Sequence, residues 1–172
     1  EGDNYEEIRY EGYGPAGIAV VVETLTDNRN RTAGEVRSYF TKSGGSLGET
    51  GSVAFMFDHV GLVSFDKKIG GDDEVLEMAI EVGADDVLSD EDGHEIICAT
   101  NEFASIRDSL IEKFGDPMAA KLVFRPKDIT NLDVDNAQKV MRLIDNLEDN
   151  DDVQNVYANY EISDEVAKQL EE

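Results

Sequence analysis

The order of apolar runs in this sequence predicts an α+β fold. It comprises two α/β-sandwich domains, one a ferredoxin-like β-α-β-β-α-β domain inserted into a discontinuous β-β-α-β…α-β domain. Three observations carry that expectation. Short alternating and β-branched runs interleave with helical periods along all 172 residues. Residues 58–127 read as a complete β-α-β-β-α-β order by themselves. The flanking segments, 1–57 and 128–172, are each incomplete and supply one another's missing elements.

The elements follow in order. Tyr5–Tyr13 alternates Ile8 and Tyr10 with Arg9 and Glu11, the pattern of a half-buried strand. Gly14-Pro15-Ala16-Gly17 turns the chain, and the β-branched run Ile18–Leu25 is the hairpin partner. Thr26–Arg31 reads as a polar loop. Thr32 with Glu35 forms a capping box that starts a helix near Ala33, with Ala33, Val36 and Phe40 inward and Gly44 just past its end. Gly44–Ser52 is a glycine-rich loop, and Val53–Phe57 reads as a short strand. Leu62–Phe65 is a strand, and Glu74–Val82 a helix with Val75, Met78, Ala79 and Val82 inward. Asp86–Ser89 and His94–Ala99 are strands joined by a turn ending in Asp92-Gly93. Glu102–Phe114 is a helix closed by Gly115, and Lys121–Phe124 a strand. Asp133 caps a third long helix with Ala137, Val140, Met141, Ile144 and Leu147 inward. Val153–Tyr160 is the last strand, and Ser163 caps a short terminal helix.

Charge narrows the function. Thirty-nine acidic side chains against 15 basic ones leave a formal net charge of −24, which repels nucleic acid and anionic lipid from the chain as a whole. The charge is uneven. Residues 1–68 sum to −4 and residues 69–172 to −20, while 29–48 hold Arg29, Arg31, Arg37 and Lys42 against Glu35 alone. No stretch has the roughly 18 consecutive apolar residues of a membrane span, so no membrane association is expected. The N-terminus Glu1-Gly2-Asp3-Asn4 has no signal-peptide character and lacks Met, which reads as a processed form or a fragment. A cytoplasmic location is the expectation. It agrees with the lone cysteine, Cys98, read as a buried small apolar residue.

No catalytic or metal constellation is visible. His59 and His94 have no neighbour at metal-ligand spacing and read as surface or strand histidines. Asp85-Asp86 and Asp151-Asp152 lack the twelve-residue calcium-loop pattern and read as solvated acidic turns. Catalytic residues, metals and cofactors are all expected to be none. Gly45–Ser52 lacks the Gly-Lys-Ser/Thr ending of a nucleotide loop. Its four glycines with Gly44, and its three hydroxyls, nonetheless suit an anion held by backbone N–H groups. Arg29, Asn30 and Arg31 stand ahead of a helix N-terminus, where the dipole and two guanidiniums favour phosphate. The candidate nucleic-acid-binding residues are therefore Asn28, Arg29, Arg31, Arg37, Lys42, Gly44, Gly45 and Ser46.

Three long motifs then fall in order. They are Ile8–Pro15 (IRYEGYGP) with Glu23–Thr32 (ETLTDNRNRT), Gly44–Phe57 (GGSLGETGSVAFMF), and Leu147–Asn159 (LEDNDDVQNVYAN). Together they resemble the YebC/PmpR family. The resemblance implies a probable transcriptional regulator that binds DNA, cytoplasmic, with no enzyme activity and no cofactor. Mitochondrial relatives act as translational activators of a cytochrome oxidase subunit, and a ribosome-associated role contacting ribosomal RNA is the alternative implied. Family members usually begin with a basic helical domain of about 80 residues. It would carry the main nucleic-acid contacts, and this sequence begins after it. Phe55 stands where Trp is common in the family.

Weighed physically, duplex DNA binding lacks a recognition helix with exposed Arg, Asn or Gln at groove-reading spacing. Contact with ribosomal RNA needs only a small basic tip, formed by Arg29, Arg31, Arg37, Lys42 and the Gly44–Ser52 loop, with the acidic remainder facing basic protein or solvent. A ligand-sensing or partner-docking module is the third reading, by analogy with small ferredoxin-like domains.

Overall fold

A computed structural model describes residues 4–171. The expected domain limits at residues 1 and 172 lie outside them. In chain order the first elements are β1 (Glu6–Tyr13), β2 (Ala19–Thr26), α1 (Arg29–Lys42), β3 (Ser46–Leu47), β4 (Phe57–Phe65) and α2 (Asp72–Val82). There follow β5 (Asp86–Asp90), β6 (Gly93–Cys98), α3 (Phe103–Phe114), β7 (Ala119–Pro126) and β8 (Thr130–Asn131). The last are α4 (Val134–Asp149), β9 (Val153–Ala158), β10 (Tyr160–Glu161) and α5 (Asp164–Glu171). The chain divides into two compact units, one running to Asp58 and resuming at Arg125, the other His59–Phe124.

The first unit is built on the sheet β3-β1-β2-β9. β1 and β2 pair antiparallel from Glu6↔Thr26 to Tyr13↔Ala19, and β9 joins β2 with Val22 opposite Val156. Alternation sends Val20 and Val22 to one face, where Val36 and Phe40 of α1 and Ala137, Val140, Leu143 and Leu147 of α4 complete a sealed core. β8 and β10 form a separate two-stranded parallel pair.

Four details of this unit differ from the sequence expectation. α1 begins at Arg29 with Asn28 as its cap, so Thr32 is inside the helix and Ala33 is only half-buried. Val53–Met56 is no strand, and Phe57 instead opens β4. Ala54–Met56 is a 3-10 turn, because the backbone N–H groups of Val53 and Ala54 go to the Glu11 carboxylate instead of to a ladder. On α4, Leu143 takes the inward position and Met141 is exposed. β9 ends at Ala158, and Tyr160 belongs to the small sheet. Asp133 does cap α4, accepting from Asn136 N at 2.8 Å, and the Ser163 hydroxyl receives Val166 N at 3.2 Å.

The second unit has the sheet order β5-β6-β4-β7, which with α2 and α3 is the ferredoxin-like arrangement. Val63 and Phe65, Ile96 and Cys98 face Val75 and Ala79 of α2 and Ile106 and Leu110 of α3. The β5–β6 hairpin closes on Asp90↔Gly93. Gly93 has φ +147, and a Cβ there would strike the Phe65 carbonyl oxygen. His94 is buried in β6. Its Nδ1 accepts from the Ser89 hydroxyl at 2.6 Å and its Nε2–H donates to the Gly70 carbonyl at 3.1 Å. His59 stacks on Phe124 with ring centroids 4.4 Å apart. Cys98 is fully buried, and burial, then Asp85 and Glu102, push its thiol upward.

Candidate nucleic-acid interface

Asn28 starts α1 by accepting from Arg31 N at 3.1 Å through its side chain and from Thr32 N at 3.1 Å through its carbonyl. Arg29, Asn30 and Arg31 therefore form the first helical turn rather than a loop ahead of it. The anion seat expected there is filled by the protein's own carboxylates. Asp152, in the turn before β9, accepts from Arg31 Nη2 at 2.9 Å and from the Thr32 hydroxyl at 2.7 Å. Asp27 accepts from the same Nη2 at 3.1 Å. The Asp152 carbonyl also receives Leu25 N at 2.8 Å. Burial raises the Asp152 pKa, but the Arg31 and Thr32 hydrogen bonds outweigh it and hold the carboxyl below its usual range. The same bonds, from Asp152 first and Asp27 next, raise Arg31. A carboxylate at a helix N-terminus is the arrangement the dipole favours, so this is a clamp and not an open phosphate site.

The remaining cations are differently placed. The Arg29 side chain is 68% exposed and makes one long contact, 3.7 Å, with Glu6. Arg37 and Lys42 are exposed and make no ion pair among the described residues. From Arg29 to Lys42 the helical rise is roughly 20 Å, so Arg29 and Arg31 lie at one end of α1 while Lys42, Gly44, Gly45 and Ser46 lie at the other. The single basic tip expected from the sequence is thus a stripe along a helix. At 100° per residue, Asn30, Arg31, Gly34, Ser38 and Thr41 share the face opposite Val36 and Phe40, with Arg37 at one border and Lys42, next to Glu35, at the other. The one carboxylate of α1, Glu35, is taken up by Asn150, whose Nδ2 donates to it at 2.9 Å.

The glycine loop is shaped by packing. Gly44 has φ +93, placing it as the left-handed residue after the helix, with Gly45 N reaching back to the Phe40 carbonyl at 2.9 Å. A Cβ on Gly45 would collide with the Tyr13 backbone, and one on Gly12 would lie 2.7 Å from the Ser46 carbonyl oxygen. These glycines let β3 lie against β1. The backbone donors expected for an anion are largely used at home. Gly48 N goes to the Glu11 carbonyl at 2.8 Å, and Val53 N and Ala54 N go to Glu11 Oε1 at 3.0 and 2.8 Å.

Glu11 is the residue that sequence reading passed over. Its side chain is fully buried, with Oε2 receiving Arg9 Nε at 2.9 Å. Burial alone raises its pKa, but the Gly51, Val53 and Ala54 N–H groups and Arg9 together leave it lowered. Alternation gave no signal of this, because Glu11 shares its strand face with Arg9, opposite the apolar Ile8 and Tyr10. Phe55 is a second surprise. It follows the loop and is 63% exposed, an aromatic ring presented to solvent.

A hollow of about 430 Å³ on the sheet is lined by Glu7, Arg9, Glu23 and Asn155 among others. Its two carboxylates outnumber its one cation, which suits no anion. Among the described residues, no group of three or more His, Cys, Asp and Glu converges to hold a metal ion. No helix there is long and apolar enough to cross a membrane.

The fold and this surface define a two-unit α+β protein that displays a cationic helix in an acidic chain. Residues 5–160 match a family model described as the TACO1/YebC second and third domain, and the chain belongs to that family, one of transcriptional-regulator-like proteins. Among solved structures it is similar to a conserved hypothetical protein, Aq1575, from Aquifex aeolicus. The TM-score is 0.84 with 43% identity, over 95% of this chain and 68% of that one.

Proposed function

We propose that this protein is a non-enzymatic regulator of gene expression that meets folded RNA, in preference to duplex DNA, through the outer face of α1. One observation carries the reading. In a protein of net charge −24, the outer face of α1 presents Asn30, Arg31, Arg37, Ser38, Thr41 and Lys42, and the one carboxylate of the helix, Glu35, is bound by Asn150. A stripe of that size matches a few phosphates or 2′-hydroxyls of a folded RNA. It is too narrow to offset the repulsion between a long duplex and the acidic remainder. Arg31 stands on that face at one end, tied to Asp152 and Asp27, while Arg29 starts the helix on the side of Val36.

The test is Arg37→Glu with Lys42→Glu, assayed for binding to a structured ribosomal RNA fragment and to duplex DNA across a salt series. The expected result is weaker RNA binding with the log–log salt slope reduced by about 1.5, the release from two phosphate contacts. Unchanged RNA affinity would refute the α1 reading. Tighter binding to duplex DNA than to RNA at physiological salt would establish the transcriptional reading instead.

A further inference from the structure

Between Lys68 and Arg107 the chain holds twelve carboxylates and no lysine or arginine. α2 and β5 lie inside that stretch. β5 is the outer strand of its sheet, pairing with β6 on one side and with no strand among the described residues on the other. The opposite outer strand, β7, carries Lys121, Arg125 and Pro126, which discourage further pairing. β5 reads Asp-Val-Leu-Ser-Asp, with aspartates but no lysine, arginine or proline, and its Leu88 is exposed.

α2 packs over this strand with Val75 and Ala79 in the core. Met78 and Val82 turn toward α3, where they line a cleft with Ser109 and Lys113. Leu76 and Ile80 are one turn apart. At 100° per residue they fall on the flank away from α3, above the unpaired side of β5, and are 43% and 66% exposed. Asp73 and Glu77 border them, while Asp86 and Asp90 bracket Leu88.

We infer that the unpaired edge of β5, roofed by Leu76 and Ile80, receives an extended segment of a partner protein in which lysine or arginine alternates with apolar residues. Backbone pairing supplies the affinity, as in other strand additions. Alternate side chains of the incoming strand meet Leu76 and Ile80 on one face and Leu88 on the other. Its cations, all on the face of Leu88, meet Asp86 and Asp90. Charge selects the occupant: a second copy of this chain would set Asp86 and Asp90 against the same aspartates, and like charges across a strand pair repel.

The test uses the full chain and a fluorescent octapeptide of alternating Lys and Val, with a control in which alternate backbone amides are N-methylated. The expected results are binding of the first peptide, slowed amide exchange in β5, and at least tenfold weaker binding of the control. The double variant Leu76→Ser, Ile80→Ser should lose at least tenfold in affinity while staying folded with only a small fall in thermal stability, since the side chains are 43% and 66% exposed. Three outcomes overturn the proposal: no binding of the first peptide, equal binding of the methylated control, or equal binding to the double variant. Protection of β5 without peptide, together with a dimer in solution, overturns it in favour of self-pairing.

Discussion

Replacing Glu11 tests how the glycine loop is held. The side chain is fully buried and its two oxygens receive Val53 N at 3.0 Å, Ala54 N at 2.8 Å and Arg9 Nε at 2.9 Å. Glu11→Ala leaves two backbone donors facing a cavity. Each orphaned buried N–H costs about 1–3 kcal/mol, so the substitution should cost about 2–6 kcal/mol in the unit that contains it. Glu11→Gln keeps an oxygen for the two N–H groups but sets an amide donor against Arg9. The loss should be smaller, about 1.5–3 kcal/mol, the worth of one charged hydrogen bond. Urea unfolding followed by circular dichroism gives the totals, and hydrogen exchange over 48–54 localises them. The pH dependence has a defined sign. Because the folded pKa is lowered, the contribution of Glu11 is complete above the unfolded carboxylate range and fades as pH falls through the folded value. The gap between wild type and Glu11→Gln should therefore narrow in acid. A loss below about 1 kcal/mol for Glu11→Ala, with unchanged exchange in the loop, would refute the account.

Other expectations are simpler. Asp152→Asn removes the charge that holds Arg31 and Thr32; its melting temperature should drop at neutral pH and converge on wild type as acid protonates Asp152 through its lowered pKa. Gly93→Ala should destabilise the second unit by more than about 2 kcal/mol, read by thermal unfolding, because φ is +147 and the Cβ meets the Phe65 carbonyl. In a spectroscopic titration Tyr157 should ionise only near pH 12, since burial, and then Glu23, push its phenol up to about 12. If RNA bases reach the segment after the glycine loop, Phe55→Ala should weaken binding by about 1–3 kcal/mol without altering stability, as the ring is solvent-exposed.

The fold was more legible in the sequence than the site. Element order and the α+β class follow from local patterns: β-branched runs, helical periods, Asp133 and Ser163 as caps, and Gly44 and Gly115 after helices. Where reading failed, a distant partner had decided. Thr32 and Glu35 look like a capping box in isolation, but Asp152 claims the threonine hydroxyl and Asn150 claims the glutamate, both from more than 110 residues away. Val53–Phe57 looks like a strand until Glu11 takes its first N–H groups. Likewise Arg29 and Arg31 stand close in sequence to Lys42, yet one straight helix keeps them apart. Met141 and Leu143 exchanged roles because the inward stripe of α4 runs through Val140, Leu143 and Leu147.

The pairing of β2 with β9 also fixes when the first unit can be completed. Asn159 takes Ala19 N on its side chain at 2.7 Å and returns its own N–H to the Ala19 carbonyl at 3.2 Å, a closure spanning 140 residues. During synthesis the β1–β2 hairpin must therefore wait with one side of Val20–Val22 unpaired until α4 and β9 emerge. The second unit, whose contacts lie within His59–Phe124, can fold in the interval. A chain halted after Phe124 should carry a finished insert on an unfinished host, and its exposed valine edge would make that nascent product prone to aggregate.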